Sequence, residues 1–112
     1  MAFLTKEIHF TTAKSFDIID FTSQVKNFLQ EIGAKEGLVN IFTRHTTATL
    51  KINEAEDWLW KDLQLWADKN IPIDTWYNHD DLPNRDPATM SPNGDENING
   101  HAHIRAMLLG VS

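Results

Sequence analysis

The sequence contains no cysteine. This absence excludes a disulfide framework, a thiolate metal site and a cysteine nucleophile. Long apolar runs are also missing, since none approaches the roughly 20 residues that span a bilayer. The N-terminal residues are too polar for a signal peptide. We therefore expect a cytoplasmic protein with no membrane partner.

Basic residues are few and are not clustered. Residues 1–50 carry five Lys or Arg and five Asp or Glu, so their charges cancel. Residues 51–112 carry five Lys or Arg and eleven Asp or Glu, which gives the net charge of −6. An acidic surface repels phosphate backbones, and no basic stripe is present. We expect no nucleic acid partner, and we interpret the excess acids as a solvated face.

The length predicts one domain over residues 1–112, and the sequence pattern predicts extended segments and two main helices within it. The four Trp and six Phe indicate a packed core instead of disorder. Extended or alternating apolar segments predict the strands. These segments are 3–10, 16–19, 38–43 and 47–53.

The first helix is predicted from an apolar stripe that runs from Phe21 to Ile32. Asp20 or Thr22 is a candidate cap at its start, and Gly33 suits the left-handed position after its end. The second helix is predicted over residues 55–70. Its apolar residues extend beyond one face, which indicates a second packing partner such as another subunit.

Residues 71–99 contain four prolines and show no period, so we predict a packed, functional loop. Trp76, Tyr77 and Met90 in this loop are candidates to line a pocket, although such residues more often belong to a core. The apolar run 104–109 is compatible with either a strand or a short helix. Asn99 as a cap and Gly110 after the end favour the helix.

Histidines are the main candidates for chemistry. We predict that His45, His101 and His103 meet and bind a divalent metal, because three imidazoles form a good site with one open position. Zinc or another transition metal suits imidazole ligands, with magnesium as the alternative for phosphate chemistry. The alternative interpretation is that these histidines are packing or surface residues.

Polar residues near these histidines are candidate catalytic and anion-binding groups. Glu54 is a candidate general base, or else it complements the dipole at the start of the second helix. Thr46 and Thr47 offer hydroxyls and backbone N–H groups at a turn. Arg44, Asn99 and Arg105 are candidates to bind a phosphate or carboxylate, although surface ion pairs explain the arginines equally well. Asp80 and Asp81, which follow His79, are further carboxylates for proton transfer.

Three motifs in the same order resemble the YjbQ-like family, also called the secondary thiamine-phosphate synthase family. They are Arg44-His45-Thr46-Thr47-Ala48 with Asn53-Glu54, the run from Asp80 to Gly94, and Asn99-Gly100-His101-Ala102-His103 with Leu108-Leu109-Gly110. The resemblance implies a trimeric α+β fold, with a mostly antiparallel sheet packed by two main helices, in which the two histidine stretches share a pocket. It also implies that this chain is short at its C-terminus, because family members continue with two more strands.

The resemblance implies a metal-dependent thiamine-phosphate synthase-type transfer, which joins a pyrimidine diphosphate to a thiazole phosphate. In that case His45, His101 and His103 would be the site histidines, with Thr46, Thr47 and Glu54 beside them. The alternatives are a non-catalytic trimeric module that binds a metal or a small phosphorylated or anionic metabolite, and a shortened relative without function.

Overall fold

The computed structural model describes residues 3–110. Contacts divide the chain into two compact units on either side of the Ile41–Phe42 bond. The single-domain prediction over residues 1–112 stays a prediction, and residues 1, 2, 111 and 112 lie outside the described part. Three α-helices and three short 3-10 turns form the regular structure between residues 3 and 110.

The first unit contains helix α1, Thr22–Glu31. Its bounds confirm the helix predicted from the apolar stripe. The Asp20 carboxylate accepts the Thr22 backbone N–H at 3.0 Å, which satisfies one free donor at the helix start. Gly33 has a φ of 64° and ends the helix, while Ala34 N–H donates to the Leu29 carbonyl at 3.0 Å. These features form a Schellman motif, in which the left-handed residue favours glycine.

The second unit contains helices α2, Asp57–Asn70, and α3, Gly100–Leu109. Helix α2 begins two residues after its predicted start because Glu56 caps it: the carboxylate accepts Trp58 N–H at 2.9 Å and Leu59 N–H at 2.7 Å. Helix α3 resolves the open choice for residues 104–109 in favour of the helix. Gly110 directly follows the end of α3, as predicted, and its backbone there is extended.

Short 3-10 turns organise the proline-rich segment between α2 and α3. They are Asn78–Asp80, Leu82–Asn84 and Pro87–Thr89. Arg85 holds the segment together, since its guanidinium forms a 3.2 Å ion pair with Glu96 and donates to the Thr89 carbonyl at 2.8 Å. The segment is therefore a packed loop, as predicted, and it brings residues 76–80 to the start of α3.

The predicted mostly antiparallel sheet is wrong. Among residues 3–110, the four segments predicted as strands form no sheet, and only a single bridge residue occurs, at Leu50. Alternation tells which side chains share a face, but a strand also needs a partner whose backbone groups complete the hydrogen bonds. Apolar side chains of the predicted strands are also exposed: Leu38 is 96% and Ile52 is 101% accessible. The regular structure of residues 3–110 is therefore helical, and these residues lack the predicted α+β architecture.

The apolar interior of the described residues is small. Ala67 and Ile71, near the end of α2, are its buried apolar side chains. Arg105 of α3 is buried beside them, and its guanidinium donates to the Ile71 carbonyl at 2.7 and 3.0 Å and to Asp68 at 3.2 Å. Bonds from a charged donor to a carbonyl are among the stronger ones. Arg105 therefore links α3 to the C-terminal end of α2.

Candidate functional site

A pocket of about 360 Å³ lies between residues 76–79 and helix α3. Its polar groups come from Asn78, His79 and His103, and the remaining wall is mostly aromatic or aliphatic. Pockets of this size and composition are typical of small-molecule sites. It is therefore the candidate functional site of the second unit.

Two imidazoles contact each other on the wall of this pocket. The rings of His79 and His103 pack edge to face, with their centroids 4.6 Å apart. His79 lies in the 3-10 turn Asn78–Asp80, and His103 lies in the first turn of α3. The pair is therefore formed by two segments that are 24 positions apart.

Asp80 holds these two segments together. Its carboxylate accepts the backbone N–H of Asn99 at 3.0 Å and that of Gly100 at 2.9 Å. The free N–H groups at a helix start need such acceptors, and a negative charge there is favourable. Asn99 occupies the N-cap position of α3, as predicted, but its own side chain makes no capping bond.

Gly100 permits the close approach of the loop to α3. An added Cβ would lie 2.6 Å from Tyr77 Cβ and 3.0 Å from Tyr77 Cγ, which is too close for any side chain. Tyr77 is fixed in turn, since its hydroxyl donates to the Pro72 carbonyl at 2.6 Å. The glycine therefore brings the aromatic residues before His79 against the helix.

Of the predicted metal ligands, only His103 lines the pocket. His101 lies near Tyr77, with ring centroids 6.4 Å apart. Partial burial, followed by the Arg105 charge, lowers the pKa of His101 below its ordinary value of 6.5, while Asp80 opposes the shift. These surroundings therefore favour the neutral form of the His101 imidazole relative to a free histidine.

His45 is exposed and lies at the start of the turn that contains Thr46 and Thr47. Its backbone N–H donates to Thr43 Oγ1 at 3.3 Å. Thr49, four residues after His45, does lie close to α3, but at the C-terminal end of the helix and not at the start that forms the pocket. A side chain at Gly110 would overlap Thr49 there. Within residues 3–110, no three His, Asp or Glu side chains come close enough to hold a metal ion.

The other predicted site residues occupy different places. Glu54 is exposed ahead of α2, so the alternative role in the first turn of that helix does not apply. Arg44 is exposed, whereas the Arg105 guanidinium is used in the contact with Ile71 and Asp68. Thr46, Thr47 and Arg44 are not among the residues that line the pocket in the described part of the chain.

Sequence reasoning missed His79 as a partner of His103. The available signal was its position after Trp76 and Tyr77, which were considered as pocket residues. Both of them line the pocket. Met90 is half-buried and does not appear among the lining residues that the structure describes. The second signal was Asp80, which was considered for proton transfer but instead caps α3.

Fold and site together define a small helical protein with an open, largely apolar pocket and a pair of imidazoles. None of the described helices has the length and apolar character that crossing a membrane requires. The chain belongs to the family described as UPF0047 protein YjbQ-like, whose model matches residues 6–112. This confirms the resemblance seen in the three motifs.

Individual relatives agree with this assignment. A UPF0047 protein of Methanothermobacter thermautotrophicus is 32% identical over 112 residues, which cover 100% of this chain and 68% of the relative. A UPF0047 protein of Archaeoglobus fulgidus is 36% identical over 106 residues, which cover 95% of this chain and 71% of the relative. UPF0047 protein YugU of Bacillus subtilis is 41% identical over 54 residues, which cover 48% of this chain and 41% of the relative. No solved structure gives a significant match.

Proposed function

We propose that this chain binds a small organic molecule in the pocket beside His79 and His103. The observation that supports the proposal is the contact between the two imidazoles, 4.6 Å between centroids, on the wall of a concave and mostly apolar site. An apolar pocket with a few convergent polar groups is the usual form of a ligand site. The apolar wall supplies binding energy, and the imidazoles and Asn78 orient the ligand.

The imidazole pair also suits acid–base chemistry on the bound molecule. A neutral imidazole has one nitrogen that donates a hydrogen bond and one that accepts. Two such rings in contact offer a proton acceptor and a proton donor at one point, which is what general acid–base catalysis requires. His79 and His103 are therefore the residues that we assign to proton transfer if the ligand is transformed.

The metal-dependent transfer implied by the resemblance is not part of this proposal. It requires His45, His101 and His103 to converge, and these residues do not fit a metal centre in the described part of the chain because no three candidate ligands come together there. The thiamine-phosphate synthase-type activity and the divalent metal stay predictions from the resemblance. No step in the proposed chemistry depends on a metal.

A fragment screen by saturation-transfer NMR tests the proposal. Wild-type protein would be compared with the variants His79→Gln and His103→Gln, because Gln keeps a polar side chain but cannot reproduce an imidazole pair. The exposed His9 supplies the matched control, His9→Gln. We expect fragments that bind the wild type and the control but lose saturation transfer in both pocket variants. If no fragment depends on either histidine, the proposal is wrong.

A further inference from the structure

We propose that the pocket selects an uncharged, planar aromatic or heteroaromatic molecule over a phosphorylated one. This inference rests on the proposed function, because it names the class of molecule bound at the same site. It differs from the phosphorylated or anionic metabolite expected from the sequence, and the experiment below decides between the two.

The residues that line the pocket favour an uncharged ring. None of those in the described chain is Lys or Arg, the side chains that normally pair with a phosphate. The wall contains Trp76, Tyr77, Ile104 and Met107. Aromatic and thioether side chains contact flat rings favourably, by stacking or at the ring edge. An anion placed here would lose water without gaining a paired cation.

The helix start beside the pocket is already occupied by a carboxylate. A helix N-terminus is a common phosphate site because its free N–H groups point outward. In α3 these groups donate to Asp80, at 3.0 Å from Asn99 and 2.9 Å from Gly100. Gly100 itself lines the pocket. The Asp80 carboxylate therefore occupies the position that an anionic ligand would take at the helix start, and it repels another negative charge.

The nearest arginines are committed to structural contacts. The Arg105 guanidinium donates to the Ile71 carbonyl and to Asp68. The Arg85 guanidinium pairs with Glu96 at 3.2 Å and donates to the His79 carbonyl at 3.4 Å. Both side chains are largely buried in these contacts. Rotating either one toward a phosphate would leave a buried partner unpaired, which is costly.

The polar groups of the pocket suit the edge of a ring. Trp76 Nε1 donates to Asn78 Oδ1 at 3.2 Å, which holds the indole and the amide together. His79 and His103 place imidazole edges next to them. The imidazoles and the amide match the hydroxyl or ring nitrogen of an aromatic molecule, because each side chain forms single, directional hydrogen bonds.

Naphthol and naphthyl phosphate form the probe pair for the test, because they share a ring system and differ in the phosphate. Their Kd values would be measured on the full chain by NMR titration, which follows the Trp76, His79, His103 and Met107 signals. We expect naphthol to shift these signals and naphthyl phosphate to bind at least about tenfold more weakly. The phosphate would lie near the negative Asp80 without a cation to pair with, and this costs affinity. Equal or tighter binding of naphthyl phosphate at these residues would overturn the inference but keep the proposed function. Binding of neither probe would overturn the inference, and the fragment screen with His79→Gln and His103→Gln would then decide the proposed function separately.

The variant Asp80→Asn tests the electrostatic cause. The amide oxygen of Asn still accepts hydrogen bonds from the helix start, so the charge is removed while an acceptor remains. We expect the ratio of the naphthyl phosphate Kd to the naphthol Kd to fall several-fold in this variant. The exposed Asp62 gives the control Asp62→Asn, which makes the same change in net charge away from the pocket. An equal effect of both variants, or no effect of either, would contradict the role of Asp80.

Discussion

His79 and His103 contact each other through their rings, with centroids 4.6 Å apart. Two features near these residues hold them in place: Asp80 binds the start of α3, and Gly100 leaves room for Tyr77. The pair therefore depends on the docking of residues 76–80 against the helix. This dependence makes the site testable through residues other than the two histidines.

The variant Gly100→Ala tests the close approach of the loop to α3. An alanine Cβ would lie 2.6 Å from Tyr77 Cβ, so the loop or the helix must shift. We expect the free energy of unfolding to fall by roughly 1–3 kcal/mol, as in other overpacked sites. Urea denaturation measures the change, with Ser23→Ala in the first turn of α1 as the control. A gain in stability, as expected from helix propensity alone, would show that the segments are not docked.

Arg105→Met tests the link between the two helices of the second unit. The variant keeps a long apolar stem but removes the donors to the Ile71 carbonyl. A buried carbonyl without its donor is costly, so we expect a loss of roughly 2–4 kcal/mol in the free energy of unfolding. The control Asp68→Asn changes the more exposed partner and should cost less than about 1 kcal/mol. If both variants lose the same free energy of unfolding, the bonds from Arg105 to the Ile71 carbonyl are not its main contribution to stability.

Glu96 gives the loop a pH dependence. The backbone N–H of Ser91 and then the Arg85 charge hold the pKa of Glu96 below its ordinary value of 4.5. A carboxyl whose folded pKa is lowered contributes stability above the ordinary value and loses it as the pH falls through the folded value. We therefore expect Glu96→Gln to lower Tm near neutral pH, with the gap to wild type closing below pH 4.5.

Thermal melts over this pH range provide the measurement for Glu96. The exposed Glu36 gives the control Glu36→Gln, for which we expect a small gap that does not follow this profile. A gap that stays constant from neutral to acidic pH would show that the charge of Glu96 is not what stabilises the loop.

Exposed apolar side chains on α2 bear on the predicted homotrimer. Trp58 is 70% and Leu65 is 67% accessible, and Trp66 is also exposed. Trp58 and Leu65 lie seven positions apart on the same face of α2, and exposed apolar side chains on one face are a candidate association site. We expect light scattering to detect self-association at micromolar concentration and Leu65→Glu to reduce it, while the exposed control Lys51→Glu does not. A monomeric wild type would contradict the prediction.

The helices could be predicted because their signals are local. The apolar stripe of α1 and Gly33 are both contained in a short stretch, and their roles are confirmed. The pattern of α3 does not decide between a helix and a strand, because so short a run of mostly apolar residues fits either period. The start of α2 depended on Glu56 as the cap, which the hydrophobic pattern does not reveal.

The sheet and the contact between His79 and His103 are harder to predict, because each depends on a partner that is distant in the sequence. The segment at Ile52 alternates as a strand does, but alternation does not supply a neighbouring strand. His-Ala-His suggested that both histidines act together, yet only His103 lines the pocket. Its partner His79 was overlooked, since sequence spacing does not show which loop residues meet a helix.

Intermolecular NOEs between naphthol and the isotope-labelled chain test the central claim most directly. We predict cross-peaks from the naphthol ring to His79, His103 and Met107, because these residues line the same pocket. The His9→Gln control should give the same cross-peaks, and His103→Gln should lose them. Cross-peaks to His45 in place of His79, or none to either pocket histidine, would contradict the proposed site.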